Sequence, residues 1–363
     1  MRSSLRVALI LVIFSGHALA AKPKKGAPKQ AAQTMDSNDP AEKELSEKKA
    51  ATPKPETVQE QKEKEVQIDA AQVAKTRARD KLGAFGNVLI GFGKAPEPGP
   101  GVDPATGKTT SFTFMVGGHY DLSPQFTLAA RLPWTVGSAR QRDGVNATVQ
   151  ALGAPELLGE YRVALSPFTR LPIFFGLGIP LAQGNYNTVT GSRQTQMNEM
   201  ADAASGYRDP ELFGPKRLPI IVGAGIEYER RALALHAATK FVFGAKVGGQ
   251  LANVNDPSGA GTYQLKSVTF RNVTSAGIGY RFLDKPDLFG ALDSWLAYNA
   301  INAVEFSSSS GATAPTRVQV VFEPRVGARF GKISPSLGYV FPIGGRLADN
   351  STSGLELHCD VAF

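Results

Sequence analysis

The sequence predicts an all-β fold: a transmembrane, antiparallel, up-and-down β-barrel of about 12 strands, preceded by a signal peptide and a disordered arm. Three observations predict it. From Ala84 onward, apolar and polar side chains alternate with a period of two. The links between these alternating runs are long and short in turn. The last run, GLELHCDVAF, puts Leu355, Leu357, Cys359, Val361 and Phe363 on one face and Glu356, His358, Asp360 and Ala362 on the other.

The N-terminal elements come first. MRSSLRVALILVIFSGHALAAK carries Arg2 and Arg6, then an apolar run from Val7 to Phe14, then Ala18-Leu19-Ala20. This order predicts a secretory signal peptide over residues 1–20. The apolar run is too short to span a bilayer as a helix. Residues 21–83 are rich in Lys, Glu, Ala, Gln and Pro, with 14 basic and 11 acidic side chains and few large apolar ones. Such a segment cannot bury enough surface to offset its ordering entropy, which predicts a disordered arm. Its end has helical character, with Pro55 placed to open a helix and Gly83 to close it. The arm reads as a solvated spacer, or as a tether to an unidentified envelope partner.

Residues 84–363 hold the barrel. The expected strands are 84–94, 111–122, 126–138, 155–166, 169–181, 218–230, 232–245, 266–282, 292–306, 317–330, 332–343 and 354–363. Most have the ten or so residues that a tilted strand needs to cross a bilayer. RVQVVFEPRVGARF is the clearest: Val318, Val320, Phe322, Pro324, Val326, Ala328 and Phe330 oppose Arg317, Gln319, Glu323, Arg325, Gly327 and Arg329. That many charges on one face require water or ionic partners, while the other face requires an apolar solvent.

The links near 95–110, 139–154, 182–217, 246–265, 307–316 and 344–353 are long and rich in Gly, Asn, Ser, Asp and Pro. The others, including LSPQF, LSPFT, ERRA and FGKI, are short, with LDKPDLFGA at 283–291 the longest of them. Membrane barrels have short periplasmic turns and longer external loops. An even strand number then puts both barrel ends, and the arm, in the periplasm.

Composition excludes several classes. Cys359 is the only cysteine, so no internal disulfide or cysteine-based zinc site forms. In HCD, alternation sends Cys359 to the face opposite His358 and Asp360, so the three do not chelate together and no metal is expected. The net charge of +8 is spread over signal, arm and barrel, which gives no support to nucleic-acid binding. GLGIPLAQG lies on a strand and precedes no helix, so it is no phosphate cradle, and no cofactor is implied. The G-x-S-x-G nucleophile turn is absent, and the expectation is that the protein is not an enzyme.

The terminal strand resembles the C-terminal signal of Gram-negative outer-membrane β-barrel proteins. Val361 and Phe363 match its hydrophobic-x-aromatic ending and Glu356 an upstream polar position, while His358 stands where a glycine is common. RLPWTVG and GLGIPL loosely resemble segments of uncharacterised transporter-like barrels associated with aromatic-degradation clusters. The terminal resemblance implies recognition by the barrel assembly machinery, contact with outer-membrane lipid and a final strand that pairs with the first. The expected location is the Gram-negative outer membrane.

Alternation places Arg131, Glu156, Glu160, Arg162, Glu227, Lys240, Arg271, Arg281, Glu323, Arg325, Arg329, Glu356 and Asp360 on the inward, water-facing side. They are the expected pore lining of a porin-like passage for small solutes. A closed structural or surface-recognition barrel, with lumen charges that merely pair, is the alternative. His119, His236 and His358 also face inward near the short-turn end, forming a possible pH-responsive tier. The polar stretch 182–217 is either a surface-recognition loop or a constriction folded inward.

Overall fold

The computed structural model describes residues 58–77, 81–94, 108–140, 146–185, 188–248, 253–255, 261–284, 287–308, 311–312 and 317–363. The predicted signal peptide and most of the predicted arm lie outside the described residues. The elements are α1 (Val58–Arg77), β1 (Leu82–Lys94), β2 (Lys108–Asp121), β3 (Phe126–Arg140), β4 (Asn146–Leu152), β5 (Glu156–Ala164), β6 (Thr169–Gly178), α2 (Val189–Ala204), β7 (Arg217–Arg230) and β8 (Leu233–Lys246). They continue with β9 (Asn253–Asn255), β10 (Gly261–Leu265), β11 (Val268–Asp284), β12 (Asp287–Ile301), β13 (Val304–Ser308), β14 (Gly311–Ala312), β15 (Val318–Arg329), β16 (Ile333–Gly344), α3 (Arg346–Asp349) and β17 (Ser353–Ala362).

Twelve strands close into an antiparallel barrel: β1, β2, β3, β5, β6, β7, β8, β11, β12, β15, β16 and β17. Closure is made by β1 and β17, in register from Gly83 opposite Ala362 to Phe92 opposite Ser353. No edge strand remains in the ring, so the strand backbone is satisfied within the protein, as hydrocarbon requires. Phe363 adds one bond beyond the register, its N–H donating to the Leu82 carbonyl at 3.0 Å. Val361 sits opposite Ala84 on one side and Ile333 on the other.

The outer face is a belt of exposed apolar side chains, among them Phe112, Phe114, Leu132, Trp134, Phe175 and Leu357. Exposed apolar area of this extent far exceeds the scattered apolar patches of a water-soluble monomer. Aromatic neighbours stack along it, as Phe243 does on Phe270 with centroids 4.8 Å apart.

All short connections lie at one end. Two repeat the same chemistry: Ser123 Oγ accepts from the N–H groups of Gln125 and Phe126, and Ser166 Oγ from those of Phe168 and Thr169. The hydroxyl stands in for a backbone acceptor and tightens the turn. The sequence reading placed a nine-residue link at 283–291; the structure corrects it. β11 and β12 run on until Asp284 faces Asp287. Residues 287–291, expected in the link, pair along β12 with both neighbouring strands. The Phe289 ring lies over Gly327, where an added Cβ would come within 2.3 Å of it. β12 also stops at Ile301, short of the expected 306, because the chain turns out into a separate sheet.

That sheet, ordered β14-β13-β10-β9, is built from the long links at the opposite end of the barrel. Arg217 holds its base, donating to the carbonyls of Lys266 at 2.8 Å and Ala303 at 3.2 Å. β4 lengthens the same rim by pairing with the outer part of β3, from Trp134 opposite Leu152 to Arg140 opposite Asn146.

At the short-turn end, α1 meets the β7–β8 turn. The Asp69 carboxylate accepts from Arg230 Nε and Arg231 Nε, each at 3.1 Å. Desolvation would raise its pKa, but the two guanidiniums outweigh that and hold it below the ordinary carboxylate value.

Candidate functional site

The lumen is occupied by the chain between β6 and β7. The segment leaves β6 at the long-link end and folds inward. Asn185 Oδ1 accepts from Thr188 N at 3.1 Å, and Thr188 Oγ1 caps α2 by accepting from Gly191 N at 3.0 Å. An extended N-cap threonine of this kind satisfies one of the orphan amides of the first turn. The helix carries no apolar stripe wide enough for a free-standing element; its small and flexible residues are shaped for the wall. Met197, Met200, Ala201 and Ala204 are fully buried, Met197 against Val149 and Ala151, Ala201 against Leu212 and Phe213.

The helix ends at Ser205, and the chain reverses through Gly206 and Tyr207, both in the left-handed region at φ 65° and 59°. Gly206 has no alternative here: a Cβ would lie 2.8 Å from both Trp295 and Val321. Its carbonyl accepts from Trp295 Nε1 at 2.8 Å. Trp295, Val273, Ala297, Val321 and Val340 form an apolar seat on the wall, against which Tyr207 packs. A fully buried indole N–H needs such a partner.

The next residues make an ionic girdle. Arg208 Nη1 stands 2.6 Å from Glu323 Oε2, and its Nη2 2.8 Å from Glu356 Oε2. Asp209 takes Arg131 at 2.9 Å and Lys240 at 3.5 Å. Glu211, on a 3-10 turn over Pro210–Leu212, takes Arg131 at 2.7 Å and Lys240 at 2.8 Å. Asp202, on α2, takes Arg271 at 2.7 Å. The plug is thereby tied to β3, β8, β11, β15 and β17. Burial alone would raise the Asp209 pKa, but Arg131, Lys240 and Arg208 overcome it and hold the carboxyl well below its usual range. For Asp202 the balance is reversed: burial pushes it up, and Arg271 recovers only part.

The structure groups the sequence-predicted lumen residues in two levels. Arg131, Glu156, Lys240, Arg271, Glu323, Arg325 and Glu356 belong to the girdle. Arg131 also pairs with Glu156 at 2.8 Å, Arg325 with Glu323 at 2.6 Å, and Asn87 with Glu356 at 2.8 Å. Glu156, Glu323 and Glu356 are almost wholly buried, so these positions are not simply wet walls. Nearer the short turns, Glu160 pairs with Arg162, which also donates to Thr127 Oγ1 at 3.1 Å. Glu227 sits in register between Arg170 and His236. Arg281 and Arg329 share Asp287, at 3.1 and 3.7 Å.

The three histidines lie at this second level but in separate settings. His236 Nε2 is 3.3 Å from Asp293 Oδ1, and His358 Nε2 is 3.0 Å from Asp360 Oδ2. His119 folds over Gly83.

Sequence reasoning did not single out Asp202, Arg208, Asp209, Glu211 or Trp295. A signal was present: GYRDPEL sets Arg208, Asp209 and Glu211 around Pro210, directly after Gly206. Among the described residues, no cluster of three or more His, Cys, Asp or Glu side chains is placed to hold a metal.

Beside the plug is a cavity of about 120 Å³. Its inner wall is the plug from Glu199 to Pro215, and its outer wall is made by β7, β8, β11 and β12 together with Asn302, Ala303, Val304 and Arg346.

No family model matches the chain, and no curated relative does. Among solved structures, an outer-membrane channel from Pseudomonas putida F1 is similar at TM-score 0.48 and 13% identity, covering 77% of this chain and 95% of that one. The translocator domain of the autotransporter NalP from Neisseria meningitidis is similar at TM-score 0.46 and 11% identity, covering 89% and 100%. The KdgM porin, solved in complex with disordered oligogalacturonate, is similar at TM-score 0.40 and 9% identity, covering 77% and 99%.

Proposed function

We propose that the chain is an outer-membrane barrel that passes small solutes through a lumen narrowed by the inward-folded plug. The observation that carries this reading is the pairing of a tethered plug with a remaining cavity on one side of it. A barrel meant only as a rigid shell has no need of a loop that crosses its lumen and leaves one flank unfilled. The lipid-facing belt and the short-turn end support insertion with the arm in the periplasm. Val361 and Phe363 are the residues we assign to recognition by the assembly machinery. The proposal includes no catalytic step, no cofactor and no nucleic acid.

A second reading, a closed barrel, is favoured by the full burial of Met197, Met200 and Leu212 within the plug. Conductance of the purified protein in a planar lipid bilayer separates the two. Discrete steps support passage, and a flat baseline supports closure.

A further inference from the structure

We infer that the outward faces of β8, β11 and β12 meet a second copy of this chain, around a hydrogen-bonded ring of Thr239, Asn272 and Thr274. The inference concerns the outer side of the wall and stands whether or not the lumen conducts.

Alternation along the three strands turns Thr239, Asn272, Thr274 and Ser294 outward, on the same face as the exposed Phe241, Ile278 and Leu292. In register, Thr274 lies between Thr239 and Leu296, and Ala276 between Ala237 and Ser294. The four polar residues thus share one level near the middle of the belt. Among the described residues, no other barrel strand turns a Ser, Thr, Asn, Gln or charged side chain outward at mid-strand.

The polar groups bond to one another. Asn272 Nδ2 donates to Thr239 Oγ1 at 2.9 Å and to the Lys240 carbonyl at 3.1 Å. Thr274 Oγ1 donates to Asn272 Oδ1 at 3.1 Å. The two threonine hydroxyls are 3.0 Å apart, and since Thr274 has given its proton to Asn272, Thr239 is the donor between them. Ser294 Oγ donates to the Ala276 carbonyl at 3.2 Å. The closed ring lets a single barrel carry these groups in hydrocarbon. Each hydroxyl still has an acceptor position unused, and lipid tails offer it no donor. A large apolar side chain suits a lipid-facing position better, and three adjacent strands forgo one at the same depth.

Depth and chemistry select the occupant. Headgroups and water lie at the edges of a bilayer, away from mid-strand. The partner is therefore a membrane-embedded surface with polar groups at this level. A second barrel, turned about an axis along the membrane normal, presents the same ring at the same depth. The groups are neutral, so like surfaces do not repel, and each hydroxyl can give its proton within its own ring or across to the copy. Ala224, opposite Thr239, and Ala237, opposite Ala276, keep the surroundings of the ring small. Small side chains let two membrane-embedded walls approach closely.

The test uses the full chain, in native outer membranes and purified in density-matched detergent. Ala276→Cys in a Cys359→Ala background should give an oxidised homodimer in the membrane, because a position at the centre of a twofold interface lies beside its own copy. Val116→Cys, outward on β2 and six strands from β11 around the ring, should not. In sedimentation the wild type should be a dimer. Thr239→Val/Asn272→Leu/Thr274→Val protein, still heat-modifiable, should dimerise about tenfold more weakly. The sedimentation comparison introduces no cysteine and decides the matter if Ala276→Cys assembles poorly. The cross-linking pair decides it if the triple variant does not fold. The inference is overturned by a monomeric wild type, by equal cross-linking of the two cysteine variants, by a triple variant that dimerises like the wild type, or by a cross-link to a different protein.

Discussion

Arg208 and Glu356 stand 2.8 Å apart although 148 residues separate them in sequence, and the pair joins the tip of the plug to the strand that closes the barrel. The same guanidinium holds Glu323 at 2.6 Å. Arg208→Met leaves both carboxylates short of a donor, although Arg325 still reaches them. Breaking a buried pair from one side costs on the order of 3–5 kcal/mol. The cost should fall on plug docking and not on the ring of strands. Trypsin cleavage after Arg193 and Lys216 should therefore accelerate in folded, heat-modifiable Arg208→Met protein. Unchanged protection at both sites would show that the ion pair does not hold the plug.

The girdle also sets a pH response. Asp209 has a folded pKa below its unfolded value of about 3.9. A depressed carboxylate contributes stability that is fully present above the unfolded pKa and is lost as pH falls through the folded one. Plug docking should thus show no loosening from neutrality through mild acid, since Asp202, pushed up by burial, gains a proton there without cost to docking, and should loosen only below about pH 4. Trp295, bonded to the Gly206 carbonyl, is the reporter, read by its fluorescence in a Trp134→Phe background. A transition centred near pH 6 would show that Asp209 does not set the response and would point to a histidine or to Asp202, whose carboxyl burial pushes up.

The barrel was legible in the sequence because its two environments force a period of two on long strands. RVQVVFEPRVGARF reads its own faces, and the terminal LELHCDVAF reads its closure. The misplacement at 283–291 arose where a local loop signal, Gly290, opposes a register set by neighbouring strands. The plug was legible only as a choice between an outward and an inward loop. Its helix carries only a short apolar stripe, Met197, Met200, Ala201 and Ala204, set among buried polar residues such as Thr195, Gln196 and Asn198. Glu356 looked wet for a related reason: alternation tells which way a side chain points and not what the chain folds in front of it.

Leu357 tests the assignment of faces. It lies on the outer surface between Val88 and Leu337 and is 46% exposed. Leu357→Arg places a charge on the lipid face near mid-membrane, at a cost of about 2–4 kcal/mol. Asp360→Asn, on the lumen face of the same strand, should be tolerated. The fraction of heat-modifiable protein in the membrane measures both, and equal assembly of the two variants would reverse the faces.

Sidedness follows from the two ends of the barrel. In a Cys359→Ala background, a membrane-impermeant thiol reagent on intact cells should reach a cysteine at Asn253, on β9 of the long-link sheet. It should not reach one at Ser166, in a short turn. Labelling in the opposite pattern would invert the barrel and carry the α1 contact at Arg230 and Arg231 to the outside.

The central claim is that the inward-folded segment governs passage. Its most direct measurement is planar-bilayer conductance of the wild type beside a variant in which residues 186–213 are replaced by a short Gly-Ser link. The account predicts small, discrete steps for the wild type and clearly larger ones for the variant, both from folded barrels. Equal steps from the two proteins, or no steps from either, would contradict it.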